Sequence, residues 1–340
     1  MILNPYRISE NFVLRKLKSI SNGSLILNNH DGKFHYFGDK NSNLKSQIKI
    51  NNPKFYFNIV SGGSSALAES YIKNDFETSN LPSLIELTAK NIEIIHKFSG
   101  ILNVAILKNI FRKFFLSNTK RKSKEYISKH YDLGNDFFST WLDKTLTYSC
   151  GIFEKPDQEL ESAQINKYNK LIKLIEPKPG FKICEIGCGW SGFAEHIAKH
   201  YDVQLDCITI SRKQYEYSKK RMHRLGLSDK VNIKFLDYRD LKDKYDAIVS
   251  IEMIEAVGEQ YLNKYFSTIK NSLKPNGVGA IQAIVIKNEL FKRYRKNQDF
   301  IQEYIFPGGF LPSLESIKNY SKNTGLIIKS YHFYGNHYSK

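Results

Sequence analysis

Apolar and polar positions follow two rhythms along this 340-residue chain, and the change between them divides it. Residues 24–60 (SLILNNHDGKFHYFGDKNSNLKSQIKINNPKFYFNIV) hold short alternating runs broken by Asn, Asp and Gly, the chemistry of strands and turns. Residues 64–98 switch to helical spacing, so residues 1–115 read as a small N-terminal α+β domain. Between Asn91 and Phe115, apolar residues recur at helical spacing (Ile94, Ile101, Val104, Ile106, Ile110, Phe111, Phe114) with Lys108, Arg112 and Lys113 interleaved. A basic run, SNTKRKSKEY, follows, and residues 116–130 read as a linker. A helix with a cationic flank suits a bilayer surface. It equally suits an interdomain helix beside a solvated connector.

From Leu171 onward the order becomes strand, helix, strand, helix. Strands are predicted at 181–186, 203–209, 231–236, 246–251 and 278–286, with helices near 191–200, 211–225 and 260–272. Short apolar strands alternating with amphipathic helices specify an open parallel sheet covered on both faces. Residues 131–340 are therefore predicted to form an α/β, Rossmann-like domain with a doubly wound sheet.

Composition narrows the picture. A hydrophobic content of 41% suffices for two cores at this length. The 51 Lys+Arg against 34 Asp+Glu give a formal net charge of +17. That excess fits a Lys-, Asn- and Ile-rich proteome, a nucleic-acid partner or an anionic membrane surface, and charge alone does not choose. No apolar run approaches the ~18–20 residues that span a bilayer, and the start of the chain has no signal-peptide core. Four cysteines in such a length make no disulfide framework. The expected location is cytoplasmic, with any membrane contact peripheral and at the inner face.

The first strand of the second domain runs into KICEIGCGWSGFAEH (182–196), where Glu185, Gly187, Gly189 and Gly192 lead into a helix. Glycines there let a ligand approach the backbone, at the edge where open α/β sheets bind ligands. A dinucleotide site would put a carboxylate at the tip of the second strand, about twenty residues on. In VQLDCITIS, Asp206 sits inside the strand, and the tip offers Thr209, Ser211 and, one turn on, Gln214. Glu185 suits a ligand with a positive charge better than a pyrophosphate. S-adenosylmethionine, a cationic sulfonium, is such a ligand. A metal reading of Cys184 and Cys188 lacks a second Cys or His pair at ligand spacing.

Five stretches make the reading specific: HYDLGNDFFSTWLDKTLTYSCGIF (130–153), CEIGCGWSGFAEHIA (184–198), ITISRKQYEYSKKR (208–221), YDAIVSIEMIEAVGEQYLNKYF (245–266) and FIQEYIFPGGFLPS (300–313). Through them the chain resembles, over nearly its whole length, the cyclopropane-fatty-acyl-phospholipid synthase family of S-adenosylmethionine-dependent enzymes, related to the mycolic acid cyclopropane synthases. The resemblance implies a class I methyltransferase fold. It implies addition of the methyl group of S-adenosylmethionine across a cis double bond in a phospholipid acyl chain, followed by proton loss from the carbocation to close the ring. By matching family positions, Tyr148 and Ser149 would hold the methionine end, and Gly187 and Gly189 would line the turn after Glu185. Thr209 and Gln214 would flank the ribose, and Tyr238 and Arg239 would sit beside adenine.

The resemblance further implies that the base is a bound bicarbonate ion held by a Cys, a Glu, a His and a Tyr. The matching positions are Cys150, Glu255, Gln282 and Tyr338, so the Tyr338 hydroxyl is expected to meet an anion shared with the other three. Gln282 stands where many members have His, and Ala256 where many have His after the Glu. An amide can hydrogen-bond an anion but cannot become charged. A carbocation calls for a positioned base, water exclusion and aromatic faces, and the resemblance implies that YIFPGG (304–309) helps wall the lipid pocket. Taken singly, Cys150 reads as a small hydrophobe, Glu255 as a cap for the helix near 260, and Tyr338 as a frayed end. The family continues past Tyr338 with a basic, aromatic helix, where this chain reads HYSK.

The expected partners are an anionic phospholipid bilayer and a second copy of the chain in a homodimer, with no nucleic acid. A nucleic-acid methyltransferase would carry a target-base motif after the fourth strand, where SIEMIEAVG stands. Two alternatives stay open: a methyl-branching or methylenating fatty-acyl methyltransferase, and an inactive lipid-binding homologue.

Overall fold

The computed structural model describes residues 5–94, 118–131, 134–296 and 299–339. The chain forms two compact units, Met1–Phe115 with Tyr294–Glu303, and Leu116–Arg293 with Tyr304–Lys340. Most of the amphipathic helix predicted between Asn91 and Phe115 lies outside the described residues.

In the first unit, α1 (Pro5–Leu17) precedes a four-stranded sheet of β1 (Ser24–Asn28), β2 (Phe34–Gly38), β3 (Lys45–Ile50) and β4 (Phe76–Thr78), ordered β2-β1-β3-β4. β1 runs antiparallel to β2 and parallel to β3, and β3 runs antiparallel to β4. In β3 the sequence KSQIKI alternates exposed and buried, which turns Ser46, Ile48 and Ile50 to the core. Residues 54–60, read as strand and turn, instead open the helix α2 (Lys54–Ile72). Their aromatic and β-branched composition favours a strand, yet Phe55, Tyr56, Ile59 and Val60 are buried at helical spacing. Core burial therefore overrides local propensity. The helix α3 (Leu81–Lys90) starts on Asn80, whose side chain accepts from Ser83 N at 3.0 Å.

The second unit opens with α4 (Lys120–Tyr131), which makes most of the stretch read as a basic linker helical. Two further helices, α5 (Asn135–Ser139) and α6 (Leu160–Ile175), precede a sheet of five parallel strands. These are β5 (Phe181–Ile186), β6 (Val203–Thr209), β7 (Val231–Phe235), β8 (Tyr245–Ile251) and β9 (Leu273–Gln282), in the order β7-β6-β5-β8-β9. The helices α7 (Gly192–His200), α8 (Arg212–Arg224) and α9 (Leu262–Ser272) fall where predicted. The chain steps from β5 out to β6 and β7, then returns to lay β8 on the other side of β5. That reversal opens a crevice at the carboxyl end of β5, the place where such sheets bind ligands. β9 stops at Gln282 rather than at 286 because the next ladder position is lost: Ile284 N donates to the Glu255 carboxylate at 2.5 Å.

Candidate active site

The crevice is a cavity enclosing about 1090 Å³ of empty space, its solvent mouth included. Its floor is the turn after β5. Gly187 has φ +80° and Gly189 φ +54°, a region that favours glycine. Gly187 N and Cys188 N both donate to Ile208 O of β6, at 3.0 and 3.1 Å. A side chain at Gly187 would put its Cβ 2.8 Å from Met253 Cγ. Trp190 anchors the far side, its indole N–H donating to Asn135 Oδ1 at 2.8 Å.

All nine residues expected around S-adenosylmethionine line this one cavity: Tyr148, Ser149, Glu185, Gly187, Gly189, Thr209, Gln214, Tyr238 and Arg239. Glu185 is 3% exposed, and its Oε2 has no hydrogen-bond partner. Burial pushes its carboxyl up to about 8. A buried, unpartnered carboxyl oxygen at the cavity fits the α-ammonium of S-adenosylmethionine, which would both pair with it and restore its charge. Thr209 donates to Gln214 Oε1 at 2.9 Å, which turns the amide N–H2 end of Gln214 toward the Tyr131 hydroxyl, another cavity residue. The Tyr238 hydroxyl is also buried without a partner. Arg239 is committed elsewhere: it forks onto Asp237 at 2.7 and 2.8 Å and donates to Asn118 O at 2.8 Å. Arg239 thus fixes Asp237, a cavity residue that the sequence reading passed over.

Of the four residues expected around an anion, three meet and one does not. Cys150 N donates to Glu252 Oε1 at 3.1 Å, Gln282 Nε2 donates to the same oxygen at 2.8 Å, and the Tyr338 hydroxyl donates to it as well. Gln282 also reaches Cys150 O at 3.2 Å. Glu255 shares no hydrogen bond with this set, although it lies near enough to Glu252 for the two acids to repel, and its Oε2 is buried without a partner. Its Oε1 accepts from Ile284 N, its main-chain O accepts from Phe310 N at 2.8 Å, and burial pushes its carboxyl up to about 8. It neither caps the helix near 260 nor joins the cluster, so the expected grouping is corrected from Glu255 to Glu252. A bicarbonate would need the donors that Glu252 Oε1 already takes, and the cluster as folded does not fit that ion. Tyr338 does not fray: Phe153 N donates to His337 Nδ1 at 3.1 Å, which pins the terminal turn Gly335–Ser339.

Several contributors carried no local signal. Lys167 is fully buried on α6, donates to Ser149 Oγ at 2.5 Å, and has its ammonium drawn down to about 8 by burial. His130, Tyr148 and Phe306 form one aromatic wall: His130 stacks on Tyr148 with ring centroids 5.6 Å apart, and Phe306 packs tilted against His130 at 4.1 Å. Burial holds the His130 imidazole below its usual range. Phe306 belongs to YIFPGG, which the resemblance and its aromatic content marked as a wall of the lipid pocket. The three buried cysteines, Cys184, Cys188 and Cys207, are free thiols whose ionisation burial opposes. No cluster that could hold a metal occurs among the described residues.

With this geometry in place, likeness to known proteins becomes informative. A family model described as mycolic acid cyclopropane synthetase matches residues 118–340. The chain is 33% identical over 303 residues to the cyclopropane-fatty-acyl-phospholipid synthase of Escherichia coli (strain K12), covering 88% of this chain and 75% of that protein. It is 32% identical over 275 residues to the tuberculostearic acid methyltransferase UfaA1 of Mycobacterium tuberculosis, covering 78% of this chain and 64% of that one. Among solved structures, it is similar to the cyclopropane synthase MmaA2 from Mycobacterium tuberculosis, with a TM-score of 0.57 and 29% identity over 61% of this chain and 76% of that chain. A second, mycolic acid cyclopropane synthase CmaA1 complexed with SAH and CTAB, gives a TM-score of 0.57 and 28% identity over the same shares. A glycine turn that fits an aminoacyl nucleoside, a class I sheet and these matches agree, and the chain belongs to the mycolic acid cyclopropane synthetase family of S-adenosylmethionine-dependent methyltransferases.

Proposed function

We propose that this enzyme transfers a methylene unit from S-adenosylmethionine to the cis double bond of unsaturated acyl chains in membrane phospholipids, forming cyclopropane fatty acids through a carbocation. The observation that carries this reading is one cavity whose lining joins the cofactor turn to Tyr148 of the aromatic wall and to Glu252 of the carboxylate cluster. When bound, S-adenosylmethionine supplies an electrophilic methyl group. Glu185 pairs with its ammonium, the Gly187 backbone admits it closely, Gln214 and Thr209 meet the ribose, and Asp237 with Tyr238 flanks adenine. Tyr148 and Ser149 frame the methionine end, with Lys167 holding the Ser149 hydroxyl. His130, Tyr148 and Phe306 present π faces that stabilise positive charge on the alkyl chain and exclude water.

Bilayer docking belongs to the same reading. Lys120, Arg121, Lys122 and Lys124 crowd the first turns of α4, and each basic group near an anionic surface contributes ~1 kcal/mol, screened over ~8 Å at physiological salt. A second product is favoured by Gln282, since the amide differs from the His of many members: a methyl-branched or methylenated chain. One experiment tests both. The purified chain is incubated with S-adenosylmethionine and dioleoyl phosphatidylethanolamine/phosphatidylglycerol vesicles, and the acyl chains are read by mass spectrometry and proton NMR. Cyclopropane protons upfield of the other aliphatic signals are expected, with vesicle binding that weakens as salt rises. Vinylidene protons instead would select the methylenating reading, and unmodified chains would remove both.

A further inference from the structure

The three donors that the resemblance places around a bicarbonate end here on a carboxylate of the chain itself. Glu252 directly follows β8, and its N–H donates to Gln282 O at 2.9 Å, which sets it beside the end of β9. Its φ of +48° is a conformation that residues with a side chain adopt rarely. From that backbone position its Oε1 collects Cys150 N, Gln282 Nε2 and the Tyr338 hydroxyl. Among the described residues Oε2 takes no donor, and Glu252 lines the cavity together with Gly187, Tyr148 and Met253. We propose that Glu252 is the base of the reaction, its own carboxylate standing where an exogenous anion would otherwise be held.

The proposal rests on the acyl-chain reading above, and its chemistry balances. The methyl carbon leaves the sulfonium sulfur, which keeps the bonding pair, and takes the π electrons of the alkene. The positive charge then lies on the neighbouring alkene carbon. Glu252 Oε2 takes one proton from the transferred methyl group, and that C–H pair closes the ring. Glu252 is left as the acid and returns its proton to solvent. Three donors on Oε1 spread the carboxylate charge, which weakens it as a nucleophile and disfavours ester formation with the cation. Burial keeps the Cys150 thiol and the Tyr338 phenol protonated, so both serve as neutral neighbours of the carboxylate. The amide of Gln282 suits a carboxylate partner, since it donates at any pH.

The test uses the full chain in two arms. In the first, turnover on dioleoyl phosphatidylethanolamine/phosphatidylglycerol vesicles is measured in carbon-dioxide-depleted buffer with and without added bicarbonate. Wild-type turnover should be the same in both. Glu252→Gly should lose about 100-fold or more without bicarbonate, the scale of a missing general base, and regain part of it when bicarbonate is added. Glu252→Gln should lose as much and regain nothing, because its amide fills the space without accepting a proton. The second arm follows ¹³C-bicarbonate by NMR with S-adenosylhomocysteine present, and calorimetry of S-adenosylhomocysteine shows that both variants are folded. Wild type should leave the bicarbonate signal unperturbed, and Glu252→Gly should broaden it. Wild-type turnover that needs bicarbonate, or wild-type binding of it, would overturn the proposal. Should wild type modify no vesicle lipid, the acyl-chain reading fails, and the binding arm still decides whether Glu252 fills the anion's place.

Discussion

The turn at Gly187–Trp190 and Glu252, the centre of the carboxylate cluster, line the same cavity, yet turn and cluster are assembled over different lengths of chain. The turn is a local product. Its glycines, its buried acid and its helix start fall within eight consecutive residues, 185–192, and one neighbouring strand closes it through Ile208 O. The cluster is assembled at long range, with Glu252 lying 102 residues from Cys150, 30 from Gln282 and 86 from Tyr338. The turn holds its shape through backbone dihedrals that Gly187 and Gly189 permit. The cluster depends on the β8–β9 register and on a terminal turn pinned by Phe153. Damage to the first should therefore abolish binding, and damage to the second should slow chemistry while binding survives.

Gly187→Val gives the sharpest break. The left-handed backbone and the close approach of Met253 both oppose a branched side chain, and ligand contact with the backbone is lost as well. S-adenosylmethionine affinity measured by calorimetry should fall more than about 100-fold, roughly 3 kcal/mol, with turnover lost alongside. Retained affinity would mean that the ligand lies away from the turn.

An intermediate effect is expected for Glu185→Gln. In the free protein burial pushes this carboxyl up to about 8, so the stability it contributes is full below the ordinary value of 4.5 and is lost as pH rises through about 8. A bound ammonium reverses the preference, and binding at neutral pH should release up to one proton. Calorimetry in buffers of different ionisation enthalpy should detect that release in wild type and none in Glu185→Gln. The variant should also bind roughly 10- to 100-fold more weakly, the loss of a hydrogen bond to a charged partner.

Tyr338→Phe should have the smallest effect and the most selective one. Removing one of three donors to Glu252 should lower turnover about 10-fold, near 1.5 kcal/mol, with S-adenosylmethionine affinity unchanged. A matching fall in affinity would show that the two ends of the cavity are not separable.

The same contrast sets what was legible beforehand. The parallel sheet, its strands and the cofactor turn follow from periodicity and glycine spacing, since these are local consequences of backbone sterics and of burial on two faces. Cys150, Gln282 and Tyr338 were reached only through long matching stretches, and their meeting point was not reached at all. Glu252 and Glu255 lie three residues apart in SIEMIEAVG, and nothing in that string says which carboxylate faces the cavity. The left-handed backbone at Glu252 and the bond from Ile284 N to Glu255 make that choice. Lys167 offered no signal either, because a lysine on an amphipathic helix reads as a solvent-facing residue until the fold buries it against Ser149.

By itself, then, the order of residues determined a two-part chain, a doubly wound sheet and a glycine turn suited to a cationic nucleoside, all properties that neighbouring residues impose on one another. Tertiary structure alone decided which acid meets Cys150, Gln282 and Tyr338. It also decided that residues 54–60 form a helix and that Arg239 is spent on Asp237. The physical reason is common to the three: each depends on which groups are desolvated together, and only packing brings residues distant in the chain into one low-dielectric space.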